Sequence, residues 1–348
     1  MRNNAASIRV IHCPENIAGQ AWAYAKAARE YGVEASVVTF ARHPFGYPDN
    51  RCLNINVNTN KLIRIAKRLC FLLEIIRGYD ILHFHFASTL MPRFLDLKLL
   101  QMLKKPMVMN FWGSDARLGR EASCNNPYFH LIKGYERNDK VIAERMTEIA
   151  KYVDVAIVPD YEIYGYVSNY FKKTYIVPNC VSSEDLSPVF PELHEGDPVL
   201  VHCPSDRNIK GTHYLLKALK SLEKYHRFSF IIGEGRTNLE IRELLSKADI
   251  VIDQLLLGTY GVVATEAMAL GKPVVCYLRE DLIETYPAEL PIVNANPENV
   301  GEVLRDLLDY PDRLSELGVR SRLFVETYHD TKVVGKKLMD IYSELIQR

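Results

Sequence analysis

The chain has 348 residues, 48% hydrophobic and 25% charged, enough for two domains that each bury a core. Lys plus Arg and Asp plus Glu both number 43, so no global field favours nucleic acid or an acidic polymer, and any basic feature is local. Seven scattered cysteines without CxxC spacing argue against a disulfide framework or a zinc site and for free thiols in a reducing compartment. The N-terminal MRNNAASIRVIH lacks the apolar core of a signal peptide, and no uncharged run is long enough to span a bilayer. A cytoplasmic location is expected.

Short β-rich runs alternate with helical patterns from end to end. Strands are expected at 8–12, 35–40, 81–86, 107–111, 153–158 and 175–177, with helices such as 21–31 and 62–76 between them. The second half repeats the theme, with strands at 199–202, 228–232, 250–253, 274–278 and 292–294. Its helices are expected near 212–224, 239–246, 261–270 and 297–309. Such alternation predicts an α/β protein of two Rossmann-like, doubly wound parallel-sheet domains, facing each other across a cleft that takes ligand at the strand C-termini. The segment 179–198 is rich in Pro, Ser and acidic residues and has no periodicity, as a linker should. The expected division is 1–190 for an acceptor-side domain, 191–330 for a donor-side domain, and 331–348 for a C-terminal helix that returns to the first.

The motifs fall at strand ends. Gly19 lies between the first strand and its helix, where it faces a phosphate or makes an ordinary turn; the segment alone favours the turn. In Asp80-Ile-Leu-His-Phe-His-Phe86 the strand period puts His83 and His85 on one face, either as an active-site rim or as hydrogen-bonded core histidines. The next strand ends in Asn110-Phe-Trp-Gly-Ser-Asp-Ala-Arg117, where Asp115 and Arg117 serve a loop-built site or form an ion pair that fixes the loop. The helix over 61–77 carries Lys61, Arg64, Lys67 and Arg68 beside bulky apolar residues. It reads as a sheet-covering helix with a solvated basic face, or as a peripheral contact with an anionic membrane.

In the second half, HCPSDRNIKGTHYLL places Arg207 and Lys210 at a helix start that already carries partial positive charge, an arrangement that an anion would explain. Its partner is DQLLLGTYGVVATEAMALGKP. There the amides of Tyr260, Gly261 and Val262 would point from a helix N-terminus toward a ligand. Glu266, one turn in, either accepts hydrogen bonds from vicinal hydroxyls or merely complements the helix dipole. The Gly-x-Gly-x-x-Gly fingerprint is absent, which argues against a dehydrogenase, and no Asp-x-Asp occurs.

Together HCPSDRNIKGT and DQLLLGTYGVVATEAMALGKPVV resemble the donor half of a GT-B glycosyltransferase of the retaining family 4 type, and DILHFHF, FWGSDAR, YIVPNCV and HDTKVVGKKLMDIYSEL resemble other segments of that family. The resemblance implies transfer of a sugar from a UDP- or GDP-linked donor to a sugar or lipid-linked acceptor, with retention and with neither metal nor other cofactor, in surface-polysaccharide or glycoconjugate synthesis. It implies that Arg207 and Lys210 bind the donor diphosphate, Gly19 lies against the same phosphates, and Glu266 binds the ribose. His85 and Asp115 are the further catalytic candidates, and Trp112 and Arg117 the acceptor-side ones. Fixed cations would then replace a metal on the leaving diphosphate. Two departures stand out: Gly258 replaces the first acid of the family's Glu-x7-Glu pattern, and Trp112 stands where many members carry histidine. Alternatives are a nucleotide-sugar epimerase of the same fold or a nucleotide-binding relative that has lost catalysis.

Overall fold

The computed structural model describes residues 7–135, 138–192 and 196–347. The chain packs as two compact units: 1–118, 138–180 and 331–348 form one, and 119–137 and 181–330 form the other.

The first unit is built on seven parallel strands, β1 (Arg9–Cys13), β2 (Glu34–Thr39), β3 (Arg51–Cys52), β4 (Ile81–His85), β5 (Met107–Asn110), β6 (Val155–Val158) and β7 (Lys173–Ile176). Their order is β3-β2-β1-β4-β5-β6-β7, which reverses direction between β1 and β4. That is the switch point of a doubly wound sheet, where the connections diverge and leave a crevice at the strand C-termini. Strands β4 and β5 are buried along their whole length, as central strands covered on both faces should be, and they take His83, His85 and Asn110 into the interior with them. The two-residue β3 lies outside the expected set, too short and polar to carry a period.

Helices Gln20–Arg29 and Thr331–Gln347 cover one face, with Tyr24, Ala28, Val334, Leu338 and Tyr342 in a common core. Their close approach depends on Gly335, where a Cβ would stand 2.4 Å from the Ala27 carbonyl oxygen. Tyr24 and Tyr342 are fully buried, each burying apolar ring surface worth roughly 2 kcal/mol only because its hydroxyl is bonded. Tyr24 donates to the Val177 carbonyl at 2.7 Å, and Tyr342 meets His83 Nδ1 at 2.8 Å.

The second unit has five parallel strands, β8 (Val199–His202), β9 (Ser229–Ile232), β10 (Ile250–Ile252), β11 (Val274–Cys276) and β12 (Val293–Asn294), ordered β12-β11-β10-β8-β9. Two cores flank this sheet, one around Met268, Leu270 and Phe324, the other around Leu215, Leu219 and Leu304. Segment 119–137 joins this unit through Asn126, whose buried amide donates to the carbonyls of Leu256 and Leu257 at 2.7 and 3.1 Å.

No helix among the described residues is long and apolar enough to cross a membrane. The amphipathic helix Lys61–Gly78 buries Phe71, Leu72 and Ile75 and exposes Leu62, Ile63, Leu69 and Leu73. Two of its four noted cations turn inward: Lys67 donates to the Leu53 carbonyl at 2.8 Å, and the Arg68 guanidinium lies 4.3 Å from the Phe40 ring centre.

Candidate active site

In the second unit the candidate residues follow β8 and β10, neighbours in the sheet. The cations do not open the long helix as the sequence suggests. Arg207–Lys210 is a separate single turn, and Gly211, at φ 75°, breaks it from the helix Thr212–Leu222. Asp206 caps that turn, its carboxylate accepting from the amides of Asn208 and Ile209 at 2.8 and 3.1 Å. The carboxylate offsets the partial positive charge that two cations would otherwise meet.

Arg207 is half exposed and forks onto Glu234, with contacts of 2.7 to 3.1 Å. Lys210 is buried, its Nζ 2.8 Å from both Asp253 Oδ1 and Gln254 Oε1. Asp253 follows β10 directly and is 1% exposed; its Oδ2 accepts from the Gly261 amide at 3.0 Å. Gly261 caps the helix Val262–Ala269, which has no other side-chain cap bond. One carboxylate is therefore gripped by a buried ammonium and by a helix N-terminal amide, the donors that would grip a phosphate oxygen.

Glu266, buried within that helix, does more than complement a dipole. It accepts from Asn238 Nδ2 at 3.0 and 3.2 Å and from Arg242 Nε and Nη2 at 2.9 and 2.8 Å. Val262 opens the helix, and the Tyr260 hydroxyl meets His329 Nε2 at 2.9 Å.

Gly258 has φ 84°, and a Cβ there would stand 2.3 Å from Arg279 Cγ. The position thus excludes any side chain on two counts, backbone conformation and space. Arg279 is itself buried, forked onto Asp281, and lines a polar cavity of about 560 Å³ with Tyr128, Tyr277, Asn296 and Asn299.

In the first unit the candidates cluster around β1, β4 and β5. Gly19 has φ 73° and caps the helix Gln20–Arg29, and the Tyr47 ring lies where its Cβ would be. His85 Nδ1 accepts from Trp112 Nε1 at 3.3 Å, and His85 Nε2 is 3.0 Å from His12 Nδ1. Asp115 Oδ1 accepts from the Trp112 and Gly113 amides at 3.0 and 2.8 Å and so fixes the loop; its buried Oδ2 has no hydrogen-bond partner among the described residues. Burial pushes the Asp115 carboxyl up to about 6, against the opposing pull of those amides. Arg117 forms a buried fork with Glu162, both contacts 2.6 Å.

Among the described residues, the cluster of His, Cys, Asp or Glu side chains close enough to converge on an ion is His12, His83 and His85, with ligand atoms within 4.8 Å of one another. Burial first, then the neighbouring imidazoles, holds His12 and His85 well below the usual histidine range, and burial brings His83 down to about 3. All three rings are neutral at pH 7.

Sequence reasoning missed His12, Tyr342, Glu162, Glu234, Arg242 and Asp253. For Asp253 a signal existed: an acid directly after an apolar strand, the pattern that singled out the loop after β5. The others are partners supplied from distant segments, which single-sequence spacing does not reveal.

No known family profile matches the sequence, and no curated protein matches it. Solved structures do. Sucrose-phosphate synthase from Thermosynechococcus elongatus is similar at TM-score 0.71 and 16% identity, covering 98% of this chain and 99% of that one. Anabaena HepE in complex with UDP-glucose is similar at TM-score 0.66 and 12% identity, covering 97% and 99%. WaaG, a glycosyltransferase involved in lipopolysaccharide biosynthesis, is similar at TM-score 0.62 and 14% identity, covering 96% and 99%. At these identities the likeness establishes the fold, and with two Rossmann-like parallel-sheet domains the chain has the GT-B architecture.

Proposed function

We propose that the chain is a glycosyltransferase that moves a sugar from a UDP- or GDP-linked donor to an acceptor hydroxyl, with retention of configuration. The observation that carries this reading is the grip of Lys210 Nζ and the Gly261 amide on the Asp253 carboxylate. A diphosphate oxygen has the same donors to satisfy, and it would take them as Asp253 turns away. Arg207, half exposed, would leave Glu234 for the second phosphate. In the transfer the bond from the anomeric carbon to the leaving phosphate oxygen breaks and a bond to the acceptor oxygen forms. The acceptor proton passes to a phosphate oxygen. Cations at hydrogen-bond range stabilise the developing phosphate charge by about 4 kcal/mol each at an effective dielectric near 20. Fixed cations in this role make the reaction metal-independent, which a chelator assay tests.

Glu266 would bind the ribose hydroxyls, with Arg242 and Asn238 holding its carboxylate in place. Gly19 belongs to the phosphate side, and Trp112 and Arg117 to the acceptor side. The solved likenesses support the reading: HepE is in complex with UDP-glucose, and WaaG is involved in lipopolysaccharide biosynthesis. Calorimetric titration of UDP and GDP decides the assignment. Arg207→Ala and Lys210→Ala are each expected to weaken binding at least tenfold, and native affinity in both variants would sink it. Proton NMR of the product's anomeric signal reads retention or inversion.

A second reading has one observation behind it. The family's first acid is absent at Gly258, where Arg279 fills the space. A nucleotide-binding relative without catalysis would bind UDP or GDP yet neither hydrolyse nor transfer any donor sugar. An epimerase would turn over donor without an acceptor. The proposed location is cytoplasmic, with membrane contact through 61–77 tested by flotation on anionic and neutral vesicles.

A further inference from the structure

A single hydrogen-bonded chain runs through the buried centre of the first unit. Trp112 Nε1 donates to His85 Nδ1 at 3.3 Å, and His85 Nε2 is 3.0 Å from His12 Nδ1. His12 Nε2 is 3.4 Å from the Tyr342 hydroxyl, which is 2.8 Å from His83 Nδ1. His83 Nε2 is 3.3 Å from Asn110 Oδ1, whose Nδ2 donates to the Phe111 carbonyl. His12, His83, His85 and Tyr342 are fully buried.

Neutral imidazole has one donor and one acceptor, so each ring passes on the direction it receives. An indole N–H can only donate. It therefore makes His85 Nδ1 an acceptor and Nε2–H a donor, and this direction continues through His12 and Tyr342 to His83. At the far end Asn110 imposes the same direction independently. Its Nδ2 is committed to Phe111, leaving Oδ1 as an acceptor for His83 Nε2–H. Two fixed ends agree, and all three histidines are Nε2–H tautomers.

The double anchoring has a chemical consequence. Were Trp112 the only anchor, its departure would let His85 flip tautomer and offer either a donor or an acceptor. With Asn110 holding the other end through His83, Tyr342 and His12, Nδ1 of His85 stays an acceptor when the indole leaves. We propose that Tyr342, His12 and His83 are positioning residues that keep His85 an obligate hydrogen-bond acceptor at Nδ1, so that the group replacing the Trp112 N–H there is a neutral hydroxyl of the sugar acceptor. Carboxylate and phosphodiester oxygens, which bring no hydrogen, are rejected at this point because the Nδ1 lone pair would face another lone pair. This assignment of acceptor chemistry rests on the glycosyltransferase reading; the tautomer chain itself does not.

Long-range nitrogen-15 NMR of histidine-labelled protein tests both layers. In the native protein His12, His83 and His85 are each expected as neutral rings with pyrrole-type Nε2 and pyridine-type Nδ1 from pH 6 to 8. Any Nδ1–H form or imidazolium among them overturns the chain, as does stoichiometric Zn²⁺ binding that shifts all three rings, which would make the cluster a metal site. Trp112→Phe and Tyr342→Phe alone are each expected to leave His85 as Nε2–H, since one anchor remains. The double variant Trp112→Phe/Tyr342→Phe is expected to give mixed tautomers at His85 and His12, and a single tautomer there would overturn the two-anchor account. In Tyr342→Phe His85 can turn Nδ1–H toward an anion once the indole leaves, so competitive inhibition by acetate against the acceptor is expected to strengthen about tenfold, the gain of one hydrogen bond, with the KM for the nucleotide sugar unchanged. Unchanged acetate inhibition would remove the positioning role. If UDP and GDP fail to bind, the glycosyltransferase reading falls while the NMR result stands.

Discussion

The two units solve the same problem, polar groups at the ends of buried parallel strands, in opposite ways. The second uses paired charges: Lys210 with Asp253, Arg207 with Glu234, and Glu266 with Arg242. The first, around β1 and β4, uses neutral rings linked in one direction. A charged pair can exchange partners, because an incoming anion offers a cation what its carboxylate did. A neutral chain has no such exchange, and what it conserves is the direction of its hydrogen bonds. Ligand exchange is thus expected in the second unit and fixed polarity in the first.

The largest effect expected on this contrast is at Lys210. Lys210→Ala leaves Asp253 charged and buried with only the Gly261 amide among the described residues, which should cost about 3–5 kcal/mol in a urea melt, besides weakening diphosphate binding at least tenfold. Lys210→Ala/Asp253→Asn removes the stranded charge, so much of the stability should return while binding does not. Recovery of both would mean that Lys210 has no part in binding. Next comes Gly258→Glu, which puts an acid at the left-handed position before the helix Val262–Ala269. The left-handed backbone and the contact with Arg279 should cost roughly 2–5 kcal/mol, and a melt unchanged from wild type would contradict the geometry.

The legible and illegible parts of the molecule divide by the range of the interactions involved. Strands such as β4 and β8 and helices such as Lys61–Gly78 were readable because apolar periodicity is local. So were the residue types at the strand ends, Arg207, Lys210 and His85, because a polar cluster after an apolar strand is a local signal. The partners were not. Asp253 meets Lys210 across 43 residues and Tyr342 meets His83 across 259, pairings set by which strands become neighbours. The helix near 212 was readable, but not the single turn before it, since Arg207–Lys210 is helical only with the Asp206 cap holding its first amides. Nor does any pattern announce that 119–137 packs with the second unit, where the Asn126 amide meets two carbonyls and the Tyr128 ring stands edge-on to Tyr277.

A pH experiment sharpens the contrast within the first unit. Burial raises Asp115 to about 6 from an ordinary value near 4, so the native state holds its proton more tightly than the unfolded chain does. Its contribution to stability is fully present below about pH 4 and is lost as pH rises through 6, on the order of 3 kcal/mol by pH 7. Asp115→Asn keeps an oxygen for the Trp112 and Gly113 amides without the charge. The variant is expected to gain stability relative to wild type between pH 4 and 7. A pH-independent difference would show that the carboxyl ionises normally in its loop.

The smallest effect on stability is expected at Arg207, and it bears most directly on partner exchange. Arg207 and Glu234 are half exposed, and solvent screens such a pair, so Arg207→Ala should leave the melting temperature within error of wild type. Nucleoside diphosphate affinity should still fall at least tenfold, because the guanidinium fork that holds Glu234 fits a phosphate equally well. Glu234→Gln separates the two roles. With the competing carboxylate neutralised, Arg207 is freer to leave its partner, and diphosphate binding should tighten by a few-fold. If Glu234→Gln instead weakens binding, the carboxylate orients the guanidinium for its ligand, and Arg207 works as a fixed fork with no exchange of partners.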